Sequence, residues 1–258
     1  MYDLSICLPA IRKENWTRLY ESAITSVGKY SFELIFCGPH KELPEELQEL
    51  ENVKCLQDFG CPTRAHQIAC IEATGEFLTW CGDDGWFEPN MLEKCIDLLK
   101  DCPEPIKAVV PAYVEIRDRS NEDGLGVYNC NYHEPIRSSF NPDHWLVFMS
   151  ALVQTEQFKE LGGFDCNLQV PGISIADFGI RYQRNGACVT QTTDVVFTCT
   201  HTPGRTGDHY AIHDAQTKDD QPLFKMIQST SDVVDRIKLD INNWKNSPEV
   251  WTRRFGNL

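Results

Sequence analysis

The sequence predicts an α/β fold: a single domain with a mixed, mostly parallel sheet flanked by helices, followed by a C-terminal helical extension. Short apolar runs alternate with helix-like segments over roughly the first hundred residues, which is the βαβ pattern of a parallel sheet. The chain has 258 residues, of which 41% are hydrophobic, so it can bury a sizeable core. We expect residues 1–215 to form the main domain and residues 216–258 to form an extension packed on it.

The individual elements follow from runs and spacings of apolar residues. Apolar runs that are rich in β-forming residues predict strands at residues 4–9, 32–37, 53–59, 76–81, 107–116 and 195–200. Apolar residues at helical spacing predict helices at residues 14–27, 63–73, 90–99, 155–161, 175–184 and 224–244. Residues 117–144 are polar and rich in Gly, Asn and Pro, and they are too long for a simple connection. We predict a functional loop or a small hairpin there.

Charge and composition exclude several classes of protein. The formal net charge of −14 argues against nucleic-acid binding, because phosphate backbones are met by clustered Lys and Arg. It leaves room for a small phosphorylated ligand. We find no apolar run long enough for a transmembrane helix and no signal-peptide pattern at the start. The twelve Cys form no C-x-x-C motif, so we interpret them as reduced thiols and expect a cytoplasmic protein.

The most informative stretch is Asp83-Asp84, which follows an apolar run ending at Trp80. Open α/β sheets bind ligands at the carboxyl ends of their strands. Paired carboxylates at such an edge typically hold a hard cation together with substrate phosphates. Because Gly82-Asp83-Asp84-Gly85 is also good turn chemistry, the pair alone leaves a metal site and a simple turn about equally favoured.

Five further residues are candidates, each with an ordinary alternative. Asp177 could be a general base, but with Ser174 it also fits a capping box at a helix start. Arg64, near another helix start, could contact a phosphate or a base, or lie on the solvated surface. His201, after a strand-like run, could bind a metal or be a surface side chain. His209 and His213 have i, i+4 spacing, but two ligands in a loop-like context are weak support for chelation.

Taken in order, the motifs resemble those of the family 2-like glycosyltransferases of the GT-A fold. The resemblance covers about residues 3–202. It rests on five stretches: Leu8-Pro9 with Arg12; Arg64-Ala65 with residues 73–77; Gly82-Asp83-Asp84 with Pro89; residues 162–165, which read GGFD; and Ala176-Asp177 with Arg181.

The resemblance implies roles for individual residues. Asp84 would be the metal carboxylate for Mn²⁺ or Mg²⁺, and His201 a further metal ligand. Asp177 would be the catalytic base of an inverting transfer to a glycan or other hydroxyl acceptor. Residues that would contact the UDP- or GDP-sugar donor are Pro9, Ala10, Arg12, Arg64, Gly82 and Asp83. Trp145 would stack on the acceptor sugar, although a core role for this Trp is the stronger interpretation.

Three positions depart from the family pattern. Cys37-Gly38-Pro39 stands where the family usually has Asp residues for the nucleobase, Gly82 replaces the first carboxylate of D-x-D, and Ala176 replaces a Glu. These changes raise an alternative, a non-catalytic glycan- or nucleotide-binding module on a degenerate transferase scaffold. A nucleotidyltransferase is disfavoured, because the segment after the first predicted strand lacks the Gly-rich phosphate loop of that class.

Overall fold

In the computed structural model, which describes residues 1–118, 127–132, 145–201, 209–229 and 236–258, nine strands form one mixed sheet. The strands are β1 (Leu4–Pro9), β2 (Phe32–Gly38), β3 (Val53–Gln57), β4 (Phe77–Trp80), β5 (Gly85–Phe87), β6 (Lys107–Asp118), β7 (Val127–Asn131), β8 (Leu152–Gln154) and β9 (Cys188–His201). Their order is β3-β2-β1-β4-β8-β6-β9-β5, and β7 pairs with β6. This arrangement confirms the predicted α/β class with a mixed sheet flanked by helices.

The sheet changes character across its width. Strands β3, β2, β1 and β4 pair in parallel, as the alternating pattern predicted. Strand β8 runs antiparallel to both β4 and β6, while β6 and β9 pair in parallel. Because β1, β2 and β4 all point the same way, their carboxyl ends meet at one edge, where Pro9, Gly38 and Trp80 end the strands.

Helices cover both faces of the sheet. They are α1 (Trp16–Val27), α2 (Pro62–Ile71), α3 (Met91–Asp101), α4 (Thr155–Glu160), α5 (Pro171–Arg184), α6 (His209–Ala215), α7 (Gln221–Ser229) and α8 (Thr252–Phe255). One core forms where α1 and α3 pack on the sheet and includes Trp16 and Leu92. The other forms on the α2, α4 and α5 side and includes Ala69, Phe158 and Phe178. Both sheet faces are therefore dry, which explains why β2 is buried along its whole length.

The predicted hairpin after the fifth predicted strand is confirmed. Strand β6 continues to Asp118, and β7 returns antiparallel to it. The remaining parts of the predicted loop, residues 119–126 and 133–144, lie outside the described residues.

The prediction of one helix over residues 224–244 is wrong in its later part. Helix α7 ends at Ser229, and residues 237–242 are not helical. The chain after α7 is held by hydrogen bonds to earlier parts of the protein instead. The Leu239 amide donates to the Leu161 carbonyl, and further on the Trp251 amide donates to the Phe59 carbonyl. The division of the chain after residue 215 stays a prediction. Within the described ranges, no helix has the length and apolar character needed to cross a membrane.

Candidate functional site

A cavity of about 550 Å³ lies at the edge where the parallel strands end. Its floor comes from the ends of β1, β2 and β4 and from β6. The start of α5 and residues of α6 form further walls, and Arg254 and Phe255 near the C-terminus also line it. The sequence-predicted residues Pro9, Ala10, Arg12, Gly82, Asp83 and Asp84 all line this cavity.

Asp83 holds the loop after β1 in place. Its Oδ2 accepts the main-chain amides of Ile11 and Arg12, each at 2.6 Å, and its Oδ1 accepts Nη1 of Arg12, also at 2.6 Å. The Asn15 side chain donates to the Asp83 carbonyl at 2.9 Å. Asp83 is 2% exposed, and its burial is compensated by these charge-assisted bonds. Asp83 therefore fixes the position of Arg12, which lines the cavity.

Asp84 is the carboxylate that is poorly neutralised. Its side chain is 17% exposed, and the closest approach of Arg12 Nη1 to its Oδ2 is 3.9 Å. Burial raises its pKa to about 6, and the neighbouring Asp83 adds to the rise, while Arg12 acts in the opposite direction. A partly buried carboxylate whose nearest guanidinium among the described residues is 3.9 Å away is suited to receive a cation.

The presence of Gly82 before the carboxylate pair has a steric explanation. A Cβ on Gly82 would lie 2.5 Å from Oδ1 of Asp84. A carboxylate side chain at this position, as in the family pattern, would therefore displace Asp84. Gly38 at the end of β2 is similar, because a Cβ there would lie 1.9 Å from the Ala10 carbonyl oxygen. The departures at residues 38 and 82 thus shape the cavity wall.

The donor set fits a divalent cation in part. Among the described residues no group of three or more His, Cys, Asp or Glu side chains could hold a metal ion. Among the described carboxylates that line the cavity, Asp84 has its nearest guanidinium at 3.9 Å, whereas Asp58, Asp83 and Glu115 are paired at 2.9, 2.6 and 2.5 Å. Mg²⁺ is commonly held by one or two carboxylates with substrate phosphates completing its shell. Asp84 fits that mode, in which a bound diphosphate supplies the remaining oxygens. Of His201, only the backbone position at the end of β9 is described.

Asp177 does not reach the cavity, which contradicts its prediction as the catalytic base. The side chain is fully buried, with Arg181 Nε at 2.8 Å from one oxygen and Arg236 Nη1 at 2.6 Å from the other. A general base needs a free oxygen within reach of the substrate proton. The capping-box alternative is also wrong, because α5 begins at Pro171 and Asp177 lies inside it.

Arg64 is also not among the residues that line the cavity, although its partner Asp58 is. Its guanidinium is paired with Asp58 at 2.9 Å, donates to the carbonyls of Trp244 and Ser247, and stacks against the Trp244 ring. It is 7% exposed, so the solvated alternative is wrong too. The prediction that Arg64 binds the donor is contradicted. Its contacts join α2 to the C-terminal segment.

Trp145 is not among the residues that line the cavity. It is half-buried beside the guanidinium of Arg184, which lies 5.9 Å from the ring centroid. Neighbours Val147 and Met149 line the cavity instead. The geometry gives Trp145 a packing role and does not support its assignment to the acceptor.

Several cavity residues were missed from the sequence. Glu115 and Arg117 lie two apart on β6 and form an ion pair, which Tyr132 joins through its hydroxyl. Their i, i+2 spacing on a strand was the available signal, since such residues share a face. His209, considered only as a chelator, lies 3.2 Å from Nη2 of Arg12. His66 on α2 also lines the cavity, and nothing in its helical context marked it out.

Comparison with solved structures identifies proteins of the same shape. The chain superposes on S. aureus TarS residues 1–349 in complex with UDP-GlcNAc with a TM-score of 0.58 at 15% identity, covering 94% of this chain and 72% of that one. For the same protein with UDP the TM-score is 0.57 at 16% identity, covering 90% and 73%.

Against the longer TarS structure the chain covers 91% of its own length and spans 43% of TarS, with a TM-score of 0.56 at 15% identity. No family model matches the sequence, and no curated protein matches it. The superposition on TarS nevertheless covers nearly the whole chain. The chain therefore has the GT-A glycosyltransferase fold, the fold of TarS.

Proposed function

We propose that this chain binds a nucleoside-diphosphate sugar in the cavity and transfers the sugar to a hydroxyl acceptor such as a glycan. The observation that carries the proposal is the division of work between the paired carboxylates. Asp83 forms an ion pair with Arg12, while Asp84 remains poorly neutralised and lines the cavity. Complexes of TarS with UDP and with UDP-GlcNAc support a uridine nucleotide as the first donor to test.

The cation would be Mn²⁺ or Mg²⁺, held by Asp84 together with diphosphate oxygens. When bound, such an ion supplies neutralisation of the leaving diphosphate. Arg12 adds a fixed positive charge to this region, with His209 beside it. Arg12 suits a phosphate because its guanidinium presents several donors in a planar fork. Pro9, Ala10 and Gly82 would contact the donor through the cavity wall.

A second candidate, a nucleotide- or glycan-binding module without turnover, is favoured by the position of Asp177. With that carboxylate enclosed by Arg181 and Arg236, the base expected for an inverting transfer is lost, and so is the support for inversion. Binding of a sugar nucleotide is common to both candidates. Release of the nucleoside diphosphate separates them.

Calorimetric titration with UDP, UDP-GlcNAc and GDP, with and without Mn²⁺, tests the proposal. We expect metal-dependent binding of at least one of these ligands. It should be lost in Asp84→Asn and retained in Asp101→Asn, a control that neutralises an exposed carboxylate at the end of α3. Release of diphosphate with a panel of glycan acceptors would then favour the transferase. Failure to bind any nucleotide, with metal present, would overturn the transferase and the nucleotide-binding form of the second candidate.

A further inference from the structure

His66 is a buried polar side chain in the cavity wall that is poorly hydrogen-bonded. It is 2% exposed, and neither ring nitrogen makes a hydrogen bond of normal geometry within the described part of the chain. Buried polar groups are nearly always hydrogen-bonded, and leaving one unpaired costs about 1–3 kcal/mol. The ring packs against Phe164 at 5.5 Å between centroids, so its orientation is fixed by the core. A poorly hydrogen-bonded, rigidly held imidazole facing a cavity indicates that a ligand completes its bonding.

The imidazole is a neutral group at any physiological pH. Burial lowers the pKa of His66 to about 3, and the carbonyls of Cys7 and Cys81 offset only part of that effect. A ring with this pKa is a poor base and offers no charge to a phosphate. Its use is therefore in hydrogen bonding to a neutral part of the ligand, such as a nucleobase or a sugar.

The position of His66 favours the nucleobase. Cys7 and Cys81 place it between β1 and β4, on the side of the cavity where the wall continues to Cys37 and Pro39 at the end of β2. That part of the wall is mostly apolar and suits a flat base. Its carboxylate, Asp58, is already engaged by Arg64 and by the Gly60 amide. The charged groups Arg12 and Asp84, which suit the diphosphate, line the same cavity.

The surroundings also decide which kind of bond the ring can offer. A carbonyl can only accept, so the nearby carbonyls of Cys7 and Cys81 favour a ring N–H directed at them, and a neutral imidazole carries only one N–H. The other nitrogen is then left with a lone pair. Uracil and guanine carry an N–H on the base edge, at N3 and N1 respectively, which such an acceptor can bind. Cytosine and adenine have acceptors at the corresponding atoms, and their amino donors lie one position further along the edge, so they fit His66 less well in the same pose.

We propose that His66 accepts a hydrogen bond from the N–H of a uracil or guanine base and thereby selects the nucleotide of the donor. The proposal rests on the proposed function, since it assigns a base-recognising residue to the nucleotide bound in the same cavity. It also explains how the site can recognise a base without the Asp residues expected near Cys37.

Titrations of UDP and CDP in the presence of Mn²⁺ test the proposal. Wild type should bind UDP more tightly than CDP. His66→Leu should lower the affinity for UDP by about tenfold or more and change the affinity for CDP by less than about threefold. His66→Gln, which keeps an acceptor, should restore part of the preference. The matched control is Thr79→Val, because the Thr79 hydroxyl is buried without a partner among the described residues but does not line the cavity.

A purely structural role for His66 gives a different result. In that case His66→Leu would lower the midpoint of thermal unfolding and would reduce the affinities for UDP and CDP equally. Under our proposal the apo His66→Leu protein unfolds at the same temperature as wild type or higher, because a poorly hydrogen-bonded polar group has been removed. UDP should also shift the ring ¹⁵N resonance of His66. If wild type binds UDP and His66→Leu keeps its UDP-to-CDP ratio, this inference is overturned and the proposed function stands. If wild type binds no nucleotide, both fall.

Discussion

Arg12 and Asp83 are joined twice, through the Arg12 main-chain amide and through its guanidinium, each 2.6 Å from a carboxylate oxygen. Residues 71 apart in sequence are thereby held as one unit at the ends of β1 and β4. The unit fixes a guanidinium 3.9 Å from Asp84. It links the position of the loop after β1 to the charge balance of the cavity.

We expect Asp83→Asn to cost both stability and nucleotide affinity. The substitution removes the carboxylate charge nearest to the Arg12 guanidinium and leaves one oxygen where two accept from Arg12 and the main-chain amides, which should lower the free energy of unfolding by roughly 2–5 kcal/mol. UDP affinity should fall at least about tenfold, because the loop and Arg12 are no longer fixed. Chemical denaturation and calorimetry on the same preparation measure the two effects. Unchanged stability would show that the pair is not formed.

Asp84→Asn should have the opposite effect on stability. The folded-state pKa of Asp84 is about 6, above its ordinary value of 3.8, so ionised Asp84 opposes folding at neutral pH. The pKa difference corresponds to roughly 2–3 kcal/mol. We therefore expect the apo variant to be more stable than wild type at pH 7.5. The gain should shrink as the pH falls from 6 towards 4, where Asp84 is protonated in the wild-type fold.

The same Asp84 variant should lose metal-dependent nucleotide binding. A gain in stability accompanied by a loss of binding would mark Asp84 as a residue that is retained for its ligand. If thermal scans across this pH range show no gain for Asp84→Asn, the burial argument for this carboxylate is incorrect.

Asp177→Asn should behave as a core substitution. Arg181 and Arg236 both depend on this carboxylate, and breaking a buried ion pair typically costs about 3–5 kcal/mol. We expect a marked drop in the unfolding midpoint, with UDP affinity per folded molecule nearly unchanged. Arg236→Met should reproduce part of the drop, since it removes the contact from the C-terminal side. A variant that unfolds like wild type but loses all turnover would restore Asp177 to the catalytic site.

Arg64→Met tests the link between α2 and the C-terminal segment. The substitution removes the bonds to the Trp244 and Ser247 carbonyls and leaves Asp58 without its guanidinium. Limited proteolysis should then cut after about residue 236 sooner than in wild type, because local opening exposes the segment. Since Arg64 does not line the cavity, UDP affinity should change by less than about threefold. A large loss of UDP affinity with normal proteolysis would instead support the donor contact.

The parallel half of the sheet and the Asp83-Asp84 site were predictable because their signals are local. A buried apolar run such as residues 77–80 has few alternatives to a strand, and a carboxylate pair at its end falls at the ligand edge by topology. The role of Asp83 did not follow from the sequence: the motif predicts a contact with the donor, whereas both of its carboxylate oxygens are bonded to Ile11 and Arg12.

Asp177 and Arg64 were misassigned because charge and spacing do not reveal direction. Asp177 and Arg181 are one helical turn apart, which serves an i, i+4 ion pair as well as an active-site motif. The second partner of Asp177, Arg236, is 59 residues further along the chain. His66 was missed for the converse reason: it is an ordinary residue of α2 until the cavity beside it is known. Long-range contacts that decide burial are not encoded in any short window of sequence.

The central claim is that the edge formed by Asp83 and Asp84 binds a nucleoside diphosphate with a divalent cation. A crystal structure of the chain with UDP and Mn²⁺, using the anomalous signal of manganese, tests it most directly. We predict one manganese peak at about 2.1 Å from a carboxylate oxygen of Asp84, with the diphosphate completing its shell and Arg12 alongside. The base should lie against His66. UDP bound outside this cavity, or inside it with manganese away from Asp84, would contradict the account.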